Sequence, residues 1–207
     1  MSGKTPLLLI ACGALAHEVT ALLRASRWRH MQVQCLPAKL HNTPQLIPEA
    51  VRAQIREGRT RFERIFVLYG DCGTGGQLDA VLVEEGVERI AGAHCYEFFT
   101  GGAAFAQMAD DEPCSFYLTD FLVRHFERLV IKGLGIDRHP ELLPLYFGNY
   151  KRLVYLAQIE DPERLAEARA AAARLGLDFE YRLTGYGDLA RTLDALDGAS
   201  ALAAAAD

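Results

Sequence analysis

Apolar residues follow two rhythms along this chain, short unbroken runs and stripes recurring every three or four positions, and the switching between them predicts strands followed by helices. Runs at 7–11, 31–35, 64–69 and 87–91 read as strands in the first half, with Arg152–Ala157 and 179–183 as two more near the end. Between them lie helical stripes. Leu15, Val19, Leu22 and Leu23 mark one, and Ile47, Val51 and Ile55 mark a second that opens at Thr43-Pro44, with proline at the first helical position. A third covers Gln77–Glu85 and is stopped by Gly86, and a fourth opens at Asp161-Pro162 and is stopped by Gly176. Gly185-Tyr186-Gly187 opens a last short helix. The middle, about 101–151, reads as helical, with Phe116, Leu122, Phe126, Leu129 and Val130 supplying apolar faces.

Strands alternating with helices imply βαβ units, right-handed crossovers and a parallel sheet buried on both faces. The expectation is therefore an α/β protein with a single doubly wound, mostly parallel sheet, Rossmann-like or flavodoxin-like, carrying a helical insertion in the middle. Residues 1–198 would form that one domain, and the Ala-rich end, 199–207, a fraying tail.

Composition narrows the class. Half the residues are hydrophobic and 24% are charged, the balance of a soluble globular chain, and the apolar start is too short for a secretory segment. The expected location is the cytoplasm, with no membrane contact. A net charge of −5 with mixed signs argues against a nucleic-acid stripe. Five cysteines without a CxxC pair read as free thiols, ligands or nucleophiles rather than a disulfide framework.

The chemistry gathers where strand runs end. Cys12-Gly13 closes the first run, Gly70-Asp71-Cys72-Gly73 the third, and His94-Cys95-Tyr96-Glu97 follows the fourth. Ligands of open α/β sheets bind just beyond the carboxyl ends of the strands, so Cys12, Cys72 and Cys95 are expected at one rim. Thiol, imidazole and carboxylate are ligand types that zinc accepts, and thiolates also hold iron–sulfur clusters. Cys12, Cys72 and Cys95, with His94 or Glu97 completing the set, are the candidate ligands of zinc or iron. Four glycines in 70–76 let backbone N–H groups approach a ligand at a helix start, so Gly70, Asp71, Gly73, Thr74 and Gly75 are the candidate cofactor-binding residues. The stretch lacks the lysine of a P-loop. Cys72, before a helix, is expected to gain thiolate character from the dipole and to act as a catalytic residue together with His41 of the Leu40-His41-Asn42-Thr43-Pro44 loop. Cys35 and Cys114 read as small buried hydrophobes. Tyr117-Leu118-Thr119-Asp120, followed by His125, reads as the start of an amphipathic helix with Asp120 solvated or capping.

Ala11-Cys12-Gly13-Ala14-Leu15, Leu40 to Pro44, Tyr69 to Gly73 and His94 to Glu97 together resemble the motifs of a bacterial and archaeal family that carries only a domain-of-unknown-function label. Its members tend to be encoded beside corrinoid proteins and their methyltransferases. The resemblance implies a role in or around corrinoid-dependent methyl transfer in one-carbon metabolism, with a corrinoid protein or methyltransferase as partner and a small molecule as ligand; it brings no established catalytic residues. Two alternatives stand beside that reading. One is a metal-independent enzyme using two cysteines as acid and base across a substrate carbon, in the manner of a cofactor-independent racemase. The other is a non-enzymatic module that docks a corrinoid protein.

Overall fold

The structure is a computed structural model describing residues 4–204. In chain order it comprises β1 (Leu7–Cys12), α1 (Ala16–Ala25), β2 (Met31–Leu36), α2 (Ile47–Gly58), β3 (Arg64–Leu68), α3 (Gln77–Glu85) and β4 (Glu88–Arg89). Two helices follow, α4 (Cys95–Thr100) and α5 (Gly102–Asp111), then β5 (Ser115–Thr119), α6 (Asp120–Arg124) and α7 (Leu143–Phe147). The chain ends with β6 (Arg152–Ala157), α8 (Pro162–Leu175), β7 (Asp178–Leu183) and α9 (Gly187–Ala204).

The strands form two separate parallel sheets, not the single sheet expected from the sequence. One has four strands in the order β2-β1-β3-β4, the other three in the order β5-β6-β7. The correction turns on β5. Its five residues lie in the stretch read as helical, because a short apolar run cannot be told from a helix by periodicity alone. Once Ser115–Thr119 is a strand it pairs with β6 in register Ser115↔Arg152, and β6 pairs with β7 in register Arg152↔Asp178. The two late strands therefore have their own sheet. Tyr117, Leu118 and Thr119 belong to that strand, and Asp120 opens α6, where the Thr119 hydroxyl accepts the Leu122 N–H.

The chain divides into two compact units, one comprising residues up to Phe98 and from Gly187 onward, the other Phe99–Tyr186. In the first, β1 is the hydrogen-bonded neighbour of both β2 and β3, and all six of its residues are buried. An unbroken Leu-Leu-Leu-Ile run suits that place, since a central parallel strand is covered on both faces and has no polar side to show. Val19, Ile47, Val51, Ile55 and Leu78 supply the covering helical stripes. In the second unit Leu118, Leu153, Tyr155, Ala168, Ala172 and Leu175 pack in one cluster.

Helix ends follow the expected chemistry. The Asp161 carboxylate accepts N–H bonds from Glu163 and Arg164 at 3.0 Å, and Gly86 and Gly176 take left-handed conformations at φ of 60° and 71° to end α3 and α8. Of the Ala-rich end, α9 reaches Ala204, and 205–207 lie outside the described residues.

Candidate functional site

In the four-stranded sheet β1 is followed by β2 on one side and flanked by β3 on the other, so the strand order reverses between β1 and β3. Crossovers leave such a pair of strands in opposite directions and open a crevice at their carboxyl ends, the usual place for a ligand in open α/β sheets. Cys12 is the last residue of β1, and Cys72 lies in the loop after β3. Both thiols therefore stand at that reversal. Cys95 begins α4, in the loop that follows β4.

Two glycines set how closely these loops approach. A Cβ on Gly13 would lie 2.8 Å from the Leu36 carbonyl oxygen and 3.0 Å from the Ala38 nitrogen, where the chain leaves β2 toward His41. A Cβ on Gly70 would meet the Ala93 carbonyl and the His94 nitrogen at 3.1–3.2 Å. The loop after β3 is stitched to the one before α4 by N–H bonds from Asp71 to Gly92 O, 3.1 Å, and from Cys72 to Ala93 O, 2.9 Å. These approaches bring the three thiols within electrostatic range of one another. Burial, the largest effect, pushes the Cys12 thiol up to about 12, and the Cys72 thiol adds to the rise. Cys95 is likewise held well above its ordinary value by burial first, then by Cys72 and Cys12.

His41 reaches the same place from the loop after β2. Its Nδ1 lies 3.6 Å from Cys12 Sγ, which also accepts the Ala14 N–H at 3.3 Å. Much of the residue is exposed, yet desolvation on the ring's inner side lowers its pKa, and His94 lowers it further. A neutral imidazole thus faces a neutral thiol.

The thiolate expected at Cys72 does not form by itself. Desolvation pushes Cys72 up to about 11, and Asp71 opposes ionisation too; N–H groups and Arg89 only partly offset this. The helix start that was to supply the anion-stabilising field is already occupied. The Asp71 carboxylate accepts the Thr74 hydroxyl at 2.6 Å and the N–H groups of Gly76 and Gly75 at 2.8 and 3.1 Å. Those bonds hold Asp71 ionised below its ordinary range and fill the glycine-rich turn with the protein's own carboxylate. Gly73, Thr74 and Gly75 thus build the turn that carries Cys72. Cys72 itself sits at φ 51°, a left-handed backbone for a residue with a Cβ.

Glu97 is used in the same way. Its Oε1 accepts the Ala93 and His94 N–H groups at 2.8 and 3.1 Å, fixing the turn into α4. His94 is exposed and near enough to His41 to affect its charge. Of the remaining cysteines, Cys35 is exposed rather than buried, and Cys114 is intermediate. Among the described residues, no group of three or more His, Cys, Asp and Glu side chains is arranged to hold a metal ion.

Three neighbours of the thiols escaped the sequence reading. Tyr69 is fully buried, and its hydroxyl is electrostatically coupled to Cys12 without the geometry of a formed hydrogen bond; burial raises its pKa. Arg89 donates to Asp79 at 2.6 and 3.0 Å and to the Ile90 and Gly92 carbonyls at 2.9 and 3.0 Å, pinning the loop beneath Cys72. Glu18 is 2% exposed and raises the Cys95 pKa. Glu18 had a signal. It falls three residues after Leu15 and four before Leu22, a carboxylate on an apolar stripe.

The family model described as "Protein of unknown function (DUF1638)" matches residues 35–193. The chain belongs to the DUF1638 family. The match begins at Cys35 and takes in His41, Cys72 and Cys95, while Cys12 precedes it. No curated protein matches this DUF1638 chain. A similar solved structure is ornithine carbamoyltransferase from Pyrococcus furiosus, at 12% identity and a TM-score of 0.25, over 86% of this chain and 54% of that one. The chain thus spans about half of that enzyme, a likeness too slight to support any inference. Among the described residues, no helix is long and apolar enough to cross a membrane.

Proposed function

We propose that this chain binds a soft metal, zinc or iron, the latter as an ion or within an iron–sulfur cluster, through Cys12, Cys72 and Cys95, and serves corrinoid-dependent methyl transfer in the cytoplasm. One observation carries the reading: Cys12 and Cys72 stand at the strand-order reversal, Cys95 comes within electrostatic range of both from the next loop, and desolvation keeps all three thiols neutral. Soft thiolates select zinc, copper(I) and iron–sulfur groups. A metal that displaces their protons would replace the solvation the thiolates lack. Since among the described residues no three side chains already stand as a ligand set, capture requires the thiols to turn toward a common centre. His41 is the nearest imidazole, whereas Glu97 is held by two backbone N–H groups. Bound zinc would lower the pKa of a thiol methyl acceptor as a Lewis acid, which is the link to methyl transfer. A corrinoid protein or its methyltransferase is the proposed partner.

The test is elemental analysis and absorption spectroscopy of anaerobically purified protein, wild type and each Cys→Ser variant. Substoichiometric metal in Cys12→Ser, Cys72→Ser and Cys95→Ser, with wild-type content in Cys35→Ser and Cys114→Ser, is the expected result. Metal content indifferent to all five changes overturns the reading.

The Cys12–His41 contact favours a second reading without metal. Nδ1 of a neutral His41, in the tautomer protonated on Nε2, can accept the Cys12 proton while Cys72 remains a protonated acid. That division of labour suits two-cysteine acid–base chemistry. It predicts metal-free protein in which His41→Ala slows alkylation of Cys12 and leaves Cys95 unaffected.

A further inference from the structure

At the opposite, amino-terminal edge of the four-stranded sheet, the end of α1 and the turn leading to β2 read Arg24-Ala25-Ser26-Arg27-Trp28-Arg29-His30. Trp28 is the only tryptophan, and it is partly exposed. Two open hollows flank it. One, of about 390 Å³, is lined by Arg24, Arg27, Arg29 and Leu23, and the other, of about 500 Å³, by Arg27, Arg29, Lys4 and His30.

The charges around the indole are uncompensated. Arg52, Arg56, Arg59 and Arg89 all reach carboxylates, but none of the ion pairs among the described residues involves Arg24, Arg27 or Arg29. The one carboxylate at the rim, Asp197, is paired to Lys4 and lies 3.5 Å from His30 Nε2. Arg27 occupies a position that suits glycine. It follows the end of α1 at φ 56°, where the Trp28 N–H closes back on the Leu23 carbonyl at 3.2 Å. A side chain with a Cβ is strained in that conformation, so local stability does not account for an arginine there.

From these observations we infer that Trp28, with Arg24, Arg27 and Arg29, forms a docking surface for an acidic segment of a protein partner that carries an apolar anchor. Tryptophan and arginine are the residue types that dominate the energy of protein interfaces. Guanidinium groups bind carboxylates in a planar, two-pronged fashion. A nucleic acid fits less well. The chain carries a net charge of −5, and three arginines fall short of the row of about 6–10 phosphate contacts that gives nucleic-acid binding its strength. The surface is separate from the thiol rim, so its failure would leave the metal reading untouched.

Trp28 is its own reporter. A synthetic glutamate-rich peptide with one phenylalanine is titrated into the full chain while tryptophan emission is followed, with an oligothymidylate of equal charge as the second arm. The expected result is a saturable change in emission with the peptide, weaker at higher salt, and an affinity at least about tenfold lower in the Arg24→Glu/Arg27→Glu double variant. Arg27→Gly keeps the turn, so it should melt at or above the wild-type temperature and still lose several-fold in affinity. No saturable emission change overturns the proposal. Equal affinity in the charge-reversed variant, or tighter binding of the oligothymidylate than of the peptide, does so as well.

Discussion

A thiol's position in this fold decides its charge more than its neighbours do. Cys12 and Cys72 both stand near N–H donors that favour thiolate, yet desolvation is the largest influence on each, and they titrate at about 12 and about 11 instead of 9.0. The consequence for stability has a definite sign. Below about pH 9 folded and unfolded chains both keep these protons. Above it the unfolded chain has lost protons that the folded chain retains up to about pH 11 and then 12, so unfolding releases protons and stability falls as pH rises. Urea midpoints measured from about pH 8 upward should decline past pH 9, and Cys12→Ser should flatten the decline because serine does not titrate there. Parallel curves for variant and wild type would show that burial does not hold the proton. Cys72 adds a backbone test. Its φ of 51° is unfavourable to any residue with a Cβ, so Cys72→Gly should be more stable than Cys72→Ala by about 1 kcal/mol. Glycine is ordinarily the less stable of the two, and an ordinary order in chemical denaturation would mean the strain is absent.

At the scale of elements, the site depends on loops allowed to touch. Gly13 and Gly70 are the points where backbone meets backbone, at 2.8–3.2 Å from where a Cβ would stand, and the atoms opposed are carbonyls and amides that cannot swing aside. Gly13→Ala should therefore cost about 1–3 kcal/mol and move the chain leading to His41 away from Cys12. The readout is the rate of Cys12 alkylation beside a urea melt; a variant with unchanged stability and rate would deny the close approach. Much of this was legible beforehand. The strand ends that carry Cys12 and Cys72, the limits of Gln77–Glu85 and Pro162–Leu175, and the glycines that stop both helices follow from apolar runs and punctuation in the sequence. What stayed hidden depends on how each turn folds, even where the partners are only a few residues apart. Residue types alone do not say that Asp71 will consume the N–H groups of Gly75 and Gly76, four and five residues on, that Glu97 will turn back four residues to Ala93, or that Arg89 will reach the Tyr69 carbonyl just after β3. Those carboxylates looked free because the N–H donors that meet them are placed only when the turns form.

At the scale of the whole molecule, the misreading of Ser115–Thr119 has the largest effect, since one strand decides whether the chain has one sheet or two. With β5 present, β6 has hydrogen-bonded neighbours on both sides and becomes the buried centre of its own sheet, as the full burial of Leu153, Val154, Tyr155, Leu156 and Ala157 records. The polar interior agrees. Asp120, immediately after β5, accepts the Tyr155 hydroxyl at 2.7 Å and the Gln158 N–H at 3.2 Å, while Gln158 Oε1 accepts the Asp120 N–H at 2.9 Å. These bonds close within Phe99–Tyr186 and fix the end of β5 against β6, while the Arg152 guanidinium ties β6 to Glu180 of β7 at 3.2 Å and to Glu112, ahead of β5, at 2.8 Å. A continuous segment with its own sheet, core cluster and a buried hydrogen-bond network around Asp120 meets the requirements for folding alone, and at about 90 residues it is above the size at which domains need metals or disulfides. The segment Phe99–Tyr186, expressed by itself, should therefore unfold cooperatively in urea, with an m-value of about 1 kcal/mol/M. Leu153→Ala should lower its stability by about 2–5 kcal/mol, as for a leucine deleted from a packed core. A segment with no cooperative transition would mean that the three-stranded sheet draws its stability from outside its own residues.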